Sequence, residues 1–577
     1  MSISRKLGKR TDNKLSGDLT WQYRALFPYG GTIEQEVEPS EMPVETSELP
    51  TGLASRDGFY GDTSATRLVA PGTPKQSRAE SDKPPLSTCR TPLATGIVGR
   101  GRRADVPKTV LRSFEKNSRR LLSDPEIAAI DAGDVIFIVH THAYDSIANL
   151  IKYTLTSSDE ALSPEFSGIN IAPENVFMLG KYYSQDPRAI EYMRKTLGVN
   201  YFDATAPQAL GNYAETAERD VCSMLDEISA LIGDKKKRVI VLDDGGKLIK
   251  AVINGNYFAD QDLFLIEQTM AGHRILLELL NEEKIKCPYM SIANSLLKTI
   301  CESPLIANAI AERAQGYLGE IMDRIVAEKM SEVDFSKLAE SRKKTAIKVG
   351  VIGKGNIGDA VYKKLVADGY TNIESFDVKD YPDNPEEALR AKQRMCAECD
   401  VIFECVGKDV TADLNIDEVN SARKTPLTLL SCGSGDAGFN SFLQQIQAKD
   451  PERQYDALDD LFYDKIHIAC GGTPITFGST PAVDRNSIDV TIAALLYAVK
   501  LAFYFDFSKS DGCEEIPLNP DAQIMIANIC KEYGVREDDV ERLTEELSAN
   551  YPEWRSSMQF DFGKIDDGVN FISQMGF

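Results

Sequence analysis

The sequence predicts an α/β protein with two lobes and an N-terminal extension. Three observations carry this. A chain of 577 residues exceeds what one hydrophobic core accommodates, so several domains are expected. From about residue 121, short Val/Ile/Leu/Phe runs alternate with amphipathic stretches of helical period, the pattern of a parallel sheet covered by helices. Further on, Lys348-Val-Gly-Val-Ile-Gly-Lys-Gly-Asn-Ile-Gly358 joins a buried-strand pattern to a glycine triplet and a helix.

Residues 1–120 are rich in Pro, Gly, Ser, Thr and charge, as in Glu38-Pro-Ser-Glu-Met-Pro-Val. Such a segment buries too little apolar surface to offset ordering entropy and is expected to be disordered. Trp21-Gln-Tyr-Arg-Ala-Leu-Phe27 stands out as a short docking segment and Arg100-Gly-Arg-Arg103 as a basic cluster, although a solvated tail accounts for both.

Residues 121–340 read as a substrate-binding α/β lobe. Asp134-Val-Ile-Phe-Ile-Val139 is a buried strand ending at His140, and 143–154 the helix after it. Further strands are Asn175-Val-Phe-Met-Leu179, Asn200-Tyr-Phe, Arg238-Val-Ile-Val-Leu-Asp-Asp-Gly-Gly246 and Leu263-Phe-Leu-Ile-Glu267. Helices are expected at 187–197, 213–232 and 268–280, and 294–329 is mostly helical and links the lobes. Ligands of parallel sheets sit at the carboxyl ends of strands, where His140, Asp243 and Asp244 stand.

Residues 341–485 read as a Rossmann lobe. Gly353 permits the tight turn after the strand, Gly355 lets the backbone approach a pyrophosphate, and Gly358 lets the helix lie close to the strand. Asn356 and Ile357 open that helix, whose N-terminal amides and dipole face the same anion. Asp377 ends the next strand, nineteen residues after Gly358, and suits a ribose 2′-OH. An acid there repels a 2′-phosphate, so NAD is expected rather than NADP. Asp400-Val-Ile-Phe-Glu-Cys-Val-Gly407 is a strand running into a glycine turn whose Gly407 is expected to contact the cofactor, and Leu427-Thr-Leu-Leu-Ser-Cys-Gly-Ser-Gly-Asp436 is another. Residues 486–577 should be C-terminal helices and a tail, the apolar helix at 487–503 packing back onto the first lobe.

The net charge of −23 argues against generic nucleic-acid binding. It is uneven: residues 1–120 carry 20 Lys+Arg against 14 Asp+Glu, and the rest of the chain 45 against 74. No 18-residue apolar run and no basic-then-apolar leader is found, so neither a membrane span nor a secretory signal is expected. Eleven scattered cysteines suit a reducing cytoplasm rather than a disulfide framework. Cys396-Ala-Glu-Cys399 has C-x-x-C spacing but no second pair, so helix packing is expected and no metal site is assigned.

Several pieces fall in the order seen in S-adenosylhomocysteine hydrolase (adenosylhomocysteinase). Val239-Ile-Val-Leu-Asp-Asp-Gly-Gly246 resembles that family's strand ending in Asp-Asp-Gly-Gly. Val139-His-Thr-His142 is similar to its early His-containing strand end, and Ser184-Gln-Asp186 to its Ser-Thr-Gln-Asp turn. Glu267-Gln-Thr-Met-Ala-Gly272 resembles its Glu-Glu-Thr-Thr-Thr-Gly segment, and Asn294-Ser-Leu-Leu-Lys298 the stretch holding its catalytic lysine. The resemblance covers roughly residues 130–505.

The resemblance implies a tightly held NAD that oxidises a substrate ribose 3′-OH and so acidifies the C4′ proton. By position, Lys298 would help deprotonate the 3′-OH and Glu302 would orient Lys298. Asp244 would be the acid/base near C4′ and C5′, and His140 would assist at the leaving group. Thr269 would contact the nicotinamide ribose, and Asp377 the adenosine ribose. The sequence departs from the family at Gly433-Ser-Gly-Asp436 and Ala482-Val-Asp-Arg485, each without the family's histidine. Gln268 replaces a glutamate, and the family's Lys/Tyr tail has no counterpart in Gly563 to Phe577.

The expected activity is adenosylhomocysteinase-like and NAD-dependent, by hydride transfer on a nucleoside or similar small hydroxylated substrate. Two alternatives stand beside it: an NAD-dependent dehydrogenase with exchangeable cofactor, and a catalytically inactive NAD-binding relative. A homo-oligomer and a protein partner for the N-terminal extension stay open.

Overall fold

Two six-stranded sheets organise the chain, and within the described residues every strand pairing is parallel except one at an edge. The computed structural model describes residues 132–552, apart from 156–168, 170, 234, 330–343, 434–437, 452–454, 456–457, 478–484 and 511. The extension at 1–120, with its segments at 21–27 and 100–103, and the tail at 563–577 lie outside the described residues.

The first sheet has the order β3-β2-β1-β4-β5-β6. Its strands are β1 (Val135–Ala143), β2 (Val176–Gln185), β3 (Asn200–Phe202), β4 (Arg238–Asp243), β5 (Asp262–Glu267) and β6 (Tyr289–Ser291). All nine residues of β1 are buried, because helices cover both faces of the sheet. One face packs Val135, Phe137 and Val139 against α1 (Asp145–Thr154). The other packs Ile136 and Ile138 against α3 (Tyr213–Ile232) and α4 (Lys247–Asn254). The helices α2 (Pro187–Lys195) and α5 (Met270–Asn281) complete the crossovers. Strand β2 outruns the expected 175–179 because Gly-Lys-Tyr-Tyr-Ser-Gln stays extended beside β1.

After a five-residue π-turn at Lys298–Glu302, α6 (Ser303–Lys329) leads to the second sheet, of order β11-β12-β10-β9-β7-β8. Here β7 (Val349–Ile352) feeds α7 (Asn356–Ala367) and β8 (Ile373–Phe376). Then come α8 (Pro385–Glu398), β9 (Val401–Glu404), α9 (Ile416–Ala422), β10 (Leu427–Ser431) and α10 (Asn440–Lys449). The short pair β11 (Leu461–Tyr463) and β12 (Ile466–Ile468) is antiparallel, where the alternating pattern gave only parallel strands. Two residues between them suffice for a hairpin, whereas a parallel return needs a long crossover.

Both connecting helices pack away from their chain neighbours. Ala307, Ile310, Ala314 and Leu318 of α6 share a core with Val349, Val351 and Phe403 of the second sheet. The long α11 (Arg485–Tyr504) follows the second sheet, yet its Val490, Ile492, Ala493 and Leu496 share a core with Phe137 and Ile147 of the first. A helix apolar nearly all round has to be buried on every side. The chain's described part ends with α12 (Pro520–Ile529) and α13 (Glu537–Asn550) on that same core. Among the described residues, no helix is long and apolar enough to cross a membrane.

Strand order places the crevices. In the first sheet the chain reverses direction between β1 and β4, and in the second between β7 and β9. At such switch points neighbouring connections diverge to opposite faces and leave a gap at the strand carboxyl ends, where ligands of open α/β sheets bind.

Candidate active site

A cleft of about 190 Å³ lies between these two strand ends. Thr141, His142 and Asp244 line it from the first switch point, and Asn356, Ile357 and Cys432 from the second lobe.

Asp244 is its buried anion. Lys181 Nζ donates to Oδ1 at 2.8 Å, and Thr141 Oγ1 and His142 Nε2 reach Oδ2 at 3.1 and 3.2 Å. Burial by itself would raise this carboxyl, but the charge of Lys181, its hydrogen bond and the charge of Lys298 outweigh it and hold the pKa well below the carboxylate range. Consecutive residues of a regular strand point to opposite faces. Thr141 and His142 nevertheless meet one oxygen, because the β1–β2 register breaks between Thr141 and Ala143.

Burial also pushes the His142 imidazole down to about 3, so it is neutral. Its Nδ1 lies 2.6 Å from Ser184 Oγ. With Asp244 accepting from Nε2, Ser184 is the donor to Nδ1. This relay has the outline of a serine nucleophile, base and acid, but Ser184 is fully buried and does not line the cleft.

His140 is placed differently from the expected leaving-group role. Its Nδ1 sits 2.8 Å from Asp243 Oδ1, while Asp243 Oδ2 accepts from the Ile249 amide at 2.9 Å. That pair fastens the turn after β4 and does not line the cleft; His142 does. Asp244 is likewise unsuited to acid/base exchange, since Lys181 and its other partners keep it ionised.

The opposite wall is the π-turn. Lys298 Nζ donates to Gln268 O at 2.9 Å and pairs with Glu302 Oε2 at 3.1 Å. Glu302 Oε1 accepts from Thr491 Oγ1, so α11 helps set the geometry. An ammonium has three donors, and these contacts use two. Gln268 Oε1 is buried in the cleft wall and accepts no hydrogen bond from the described residues. Thr269 caps α5, accepting from the Gly272 amide at 3.1 Å and donating to Glu267 Oε1 at 2.9 Å. Asn356 Nδ2 donates to Thr299 Oγ1 at 3.0 Å and ties the two walls together.

The glycine turn separates three reasons for having no side chain. Gly353 has φ +99°, and a Cβ there would lie 2.9 Å from Val406 Cγ2. A Cβ on Gly358 would lie 1.8 Å from Gly353 O. Gly355 has φ −74° and would meet nothing within 4 Å. Neither backbone strain nor protein packing explains glycine at 355; space left open at a helix N-terminus is what a ligand phosphate needs. Asp377 is half-buried, and its oxygens accept from the Lys354 and Lys379 amides at 2.8 and 3.1 Å. Each oxygen keeps a lone pair for a ribose hydroxyl. The Gly407 amide is already given to Glu404 Oε1 at 2.7 Å, so Gly407 shapes the turn (φ +68°) rather than offering its N–H to a cofactor.

Sequence reasoning passed over Lys181 and Lys247, and gave Phe477 no role of its own although Phe477 to Pro481 follows the family's order. Lys181 was legible as a lone cation between Leu179-Gly180 and Tyr182-Tyr183, but its partner is 63 residues away. Lys247 Nζ lies 5.3 Å over the Tyr213 ring, and burial together with the Lys181 charge lowers it to about 7. Phe477 stacks on His142 with ring centroids 3.9 Å apart. At the C-x-x-C spacing, burial raises both thiols to about 12, as inert packing residues require. Among the described residues no His/Cys/Asp/Glu group could hold a metal.

The chain matches no known protein-family model. It is 28% identical over 186 residues to uncharacterized proteins of two strains of Mycobacterium tuberculosis, a match covering 31% of this chain and 35% of theirs. The alignment thus spans about a third of the length of those relatives. Similar solved structures include a D-lactate dehydrogenase from Treponema pallidum, at 12% identity and TM-score 0.28, covering 63% of this chain and 94% of that one. Another is a D-lactate dehydrogenase from Aquifex aeolicus complexed with NAD and lactic acid, at 15% identity and TM-score 0.27, covering 47% and 84%. A third is a phosphoglycerate oxidoreductase from Vibrio cholerae, at 10% identity and TM-score 0.31, covering 63% and 98%. Likeness this slight does not bear on function.

Proposed function

We propose that the protein is an NAD-dependent oxidoreductase acting on a small hydroxylated substrate, with a cofactor exchanged at each turnover. The observation that carries this reading is Gly355, unstrained and unpacked at the helix N-terminus of the second switch point, with Asp377 at the next strand end. When bound, NAD⁺ supplies a hydride acceptor. The glycine turn and the first amides of α7 would hold its diphosphate, and Asp377 its adenosine ribose.

The chain's own groups suit an alcohol. Asp244 and Gln268 Oε1 are acceptors for substrate hydroxyls, and the remaining donor of Lys298 faces charge developing on an oxygen. A mostly apolar cleft strengthens both interactions by excluding water.

A second reading, adenosylhomocysteinase-like chemistry with retained NAD, is favoured by Lys298 and Glu302 paired one helical turn apart across from Asp244. It asks more of the site: Asp244, bonded to Lys181, Thr141 and His142, is a weak base, and Gln268 is not an acid. The dehydrogenase reading therefore leads.

Calorimetric titration with NAD⁺, followed by mass spectrometry of whatever is released on denaturation, tests both. Saturable binding to protein purified without cofactor, lost in Gly355→Leu, supports the first reading. Stoichiometric NAD released only on denaturation supports the second. No dinucleotide in either measurement rejects both.

A further inference from the structure

We infer that Cys405 and Cys432 form a dithiol that a hydroperoxide converts to a disulfide, closing the dinucleotide crevice. The two residues are the next in-register pair beyond the last paired positions of β9 and β10, Glu404 and Ser431. Adjacent strands lie about 4.8 Å apart, within the Cα separations a disulfide spans.

Side-chain alternation puts both thiols on one face. Ser431 Oγ and the Glu404 carboxylate meet on the opposite face at 3.1 Å, whereas Cys405 and Cys432 share a core with Phe403 and Leu430. Burial pushes the Cys432 thiol up, its Sγ donates to Leu430 O at 3.6 Å, and neither cysteine is in a disulfide.

Their place gives the pair its consequence. A Cβ on Gly358 would lie 3.3 Å from Cys405 Cβ, and Gly353 is packed on the backbone of Cys405. Cys432 lines the cleft beside Asn356 and Ile357. The pair thus lies directly under the glycine turn at the second switch point. Cys405 is the half-exposed member and Cys432 the buried one. The hydroperoxide oxidises the Cys405 thiol to a sulfenic acid and leaves as an alcohol or water. Cys432 sulfur then attacks that sulfur; the S–O bond breaks, and the oxygen departs as water with the Cys432 proton. Two thiols and one hydroperoxide give one disulfide, one water and one alcohol (or a second water). Drawing the two sulfurs together shifts the turn at 405–407 against Gly353. Bound dinucleotide, covering Cys432, slows the reaction.

The affinity part rests on the dinucleotide reading; the linkage itself does not. The full chain is treated with hydrogen peroxide with and without NAD⁺, digested without reductant, and mapped by mass spectrometry, with Cys405→Ser and Cys432→Ser in parallel. A peptide pair linked through 405 and 432, absent in both variants and suppressed by NAD⁺, is expected. NAD⁺ affinity should fall about tenfold or more on oxidation and return with dithiothreitol. Cross-linking through other cysteines only, or no linkage, overturns the proposal. Linkage that leaves a measurable NAD⁺ affinity unchanged overturns the crevice-closing half. If reduced protein binds no NAD⁺, the function reading fails, and the peptide map still decides the disulfide.

Discussion

His142 and Lys181 show how two residues set the charge of the first switch point. His142 is neutral in the fold down to about pH 3, while the unfolded chain takes up the proton near pH 6.5. Between those values the unfolded state binds more protons, so stability falls as pH drops through the window, by up to about 1.4 kcal/mol per pH unit from this residue. His142→Gln should flatten that slope in urea titrations between pH 4 and pH 6. A slope as steep as in the parent would show that His142 is not held neutral. His273, lowered by burial to about 4, contributes in the same direction and remains in the variant. Lys181→Met leaves Asp244 buried without its cation and should cost about 3–5 kcal/mol. Adding Asp244→Asn should recover much of that, because the orphaned charge, not the lost bond, is the larger penalty.

At the scale of elements, the glycine turn makes a contrast that composition does not reveal. Gly355→Ala places its methyl in open space at an ordinary φ, so stability should hold or rise by about 0.4–1 kcal/mol while dinucleotide affinity falls. Gly358→Ala drives a methyl into the Gly353 carbonyl and should cost about 1–3 kcal/mol. Equal destabilisation by both would mean that Gly355 is packed rather than open. The π-turn invites a similar test. Thr491→Val keeps the shape of α11 but removes the donor to Glu302, and should cost about 1.5–3 kcal/mol in denaturant unfolding. Under the proposed function it should also lower kcat, since Glu302 sets Lys298.

For the molecule as a whole, the decisive arrangement is the exchange of helices between sheets. Because α11 completes the first sheet's core, a chain truncated before Arg485 exposes Phe137 and Ile147 and should not fold to a protease-resistant first lobe. A resistant fragment covering the first sheet alone would contradict this. NAD⁺ at a hundred times its Kd should add about 2.7 kcal/mol to unfolding, read as a rise in Tm that Gly355→Leu lacks.

The sequence by itself determined the α/β class, the glycine turn with its following acid, and most strands and helices from β1 to α13. Those signals are local: a buried strand, a tight turn and an amphipathic helix each state their requirements within a dozen residues. Only the tertiary structure decided which strand ends face each other, and hence that His142 rather than His140 meets Asp244, and that Lys181 fixes its charge. It also set Cys405 beside Cys432, 27 positions apart in the chain, just past strand ends in register. Periodicity shows that a side chain is turned inward, but its partner depends on sheet order and register, which the distant parts of the chain settle together.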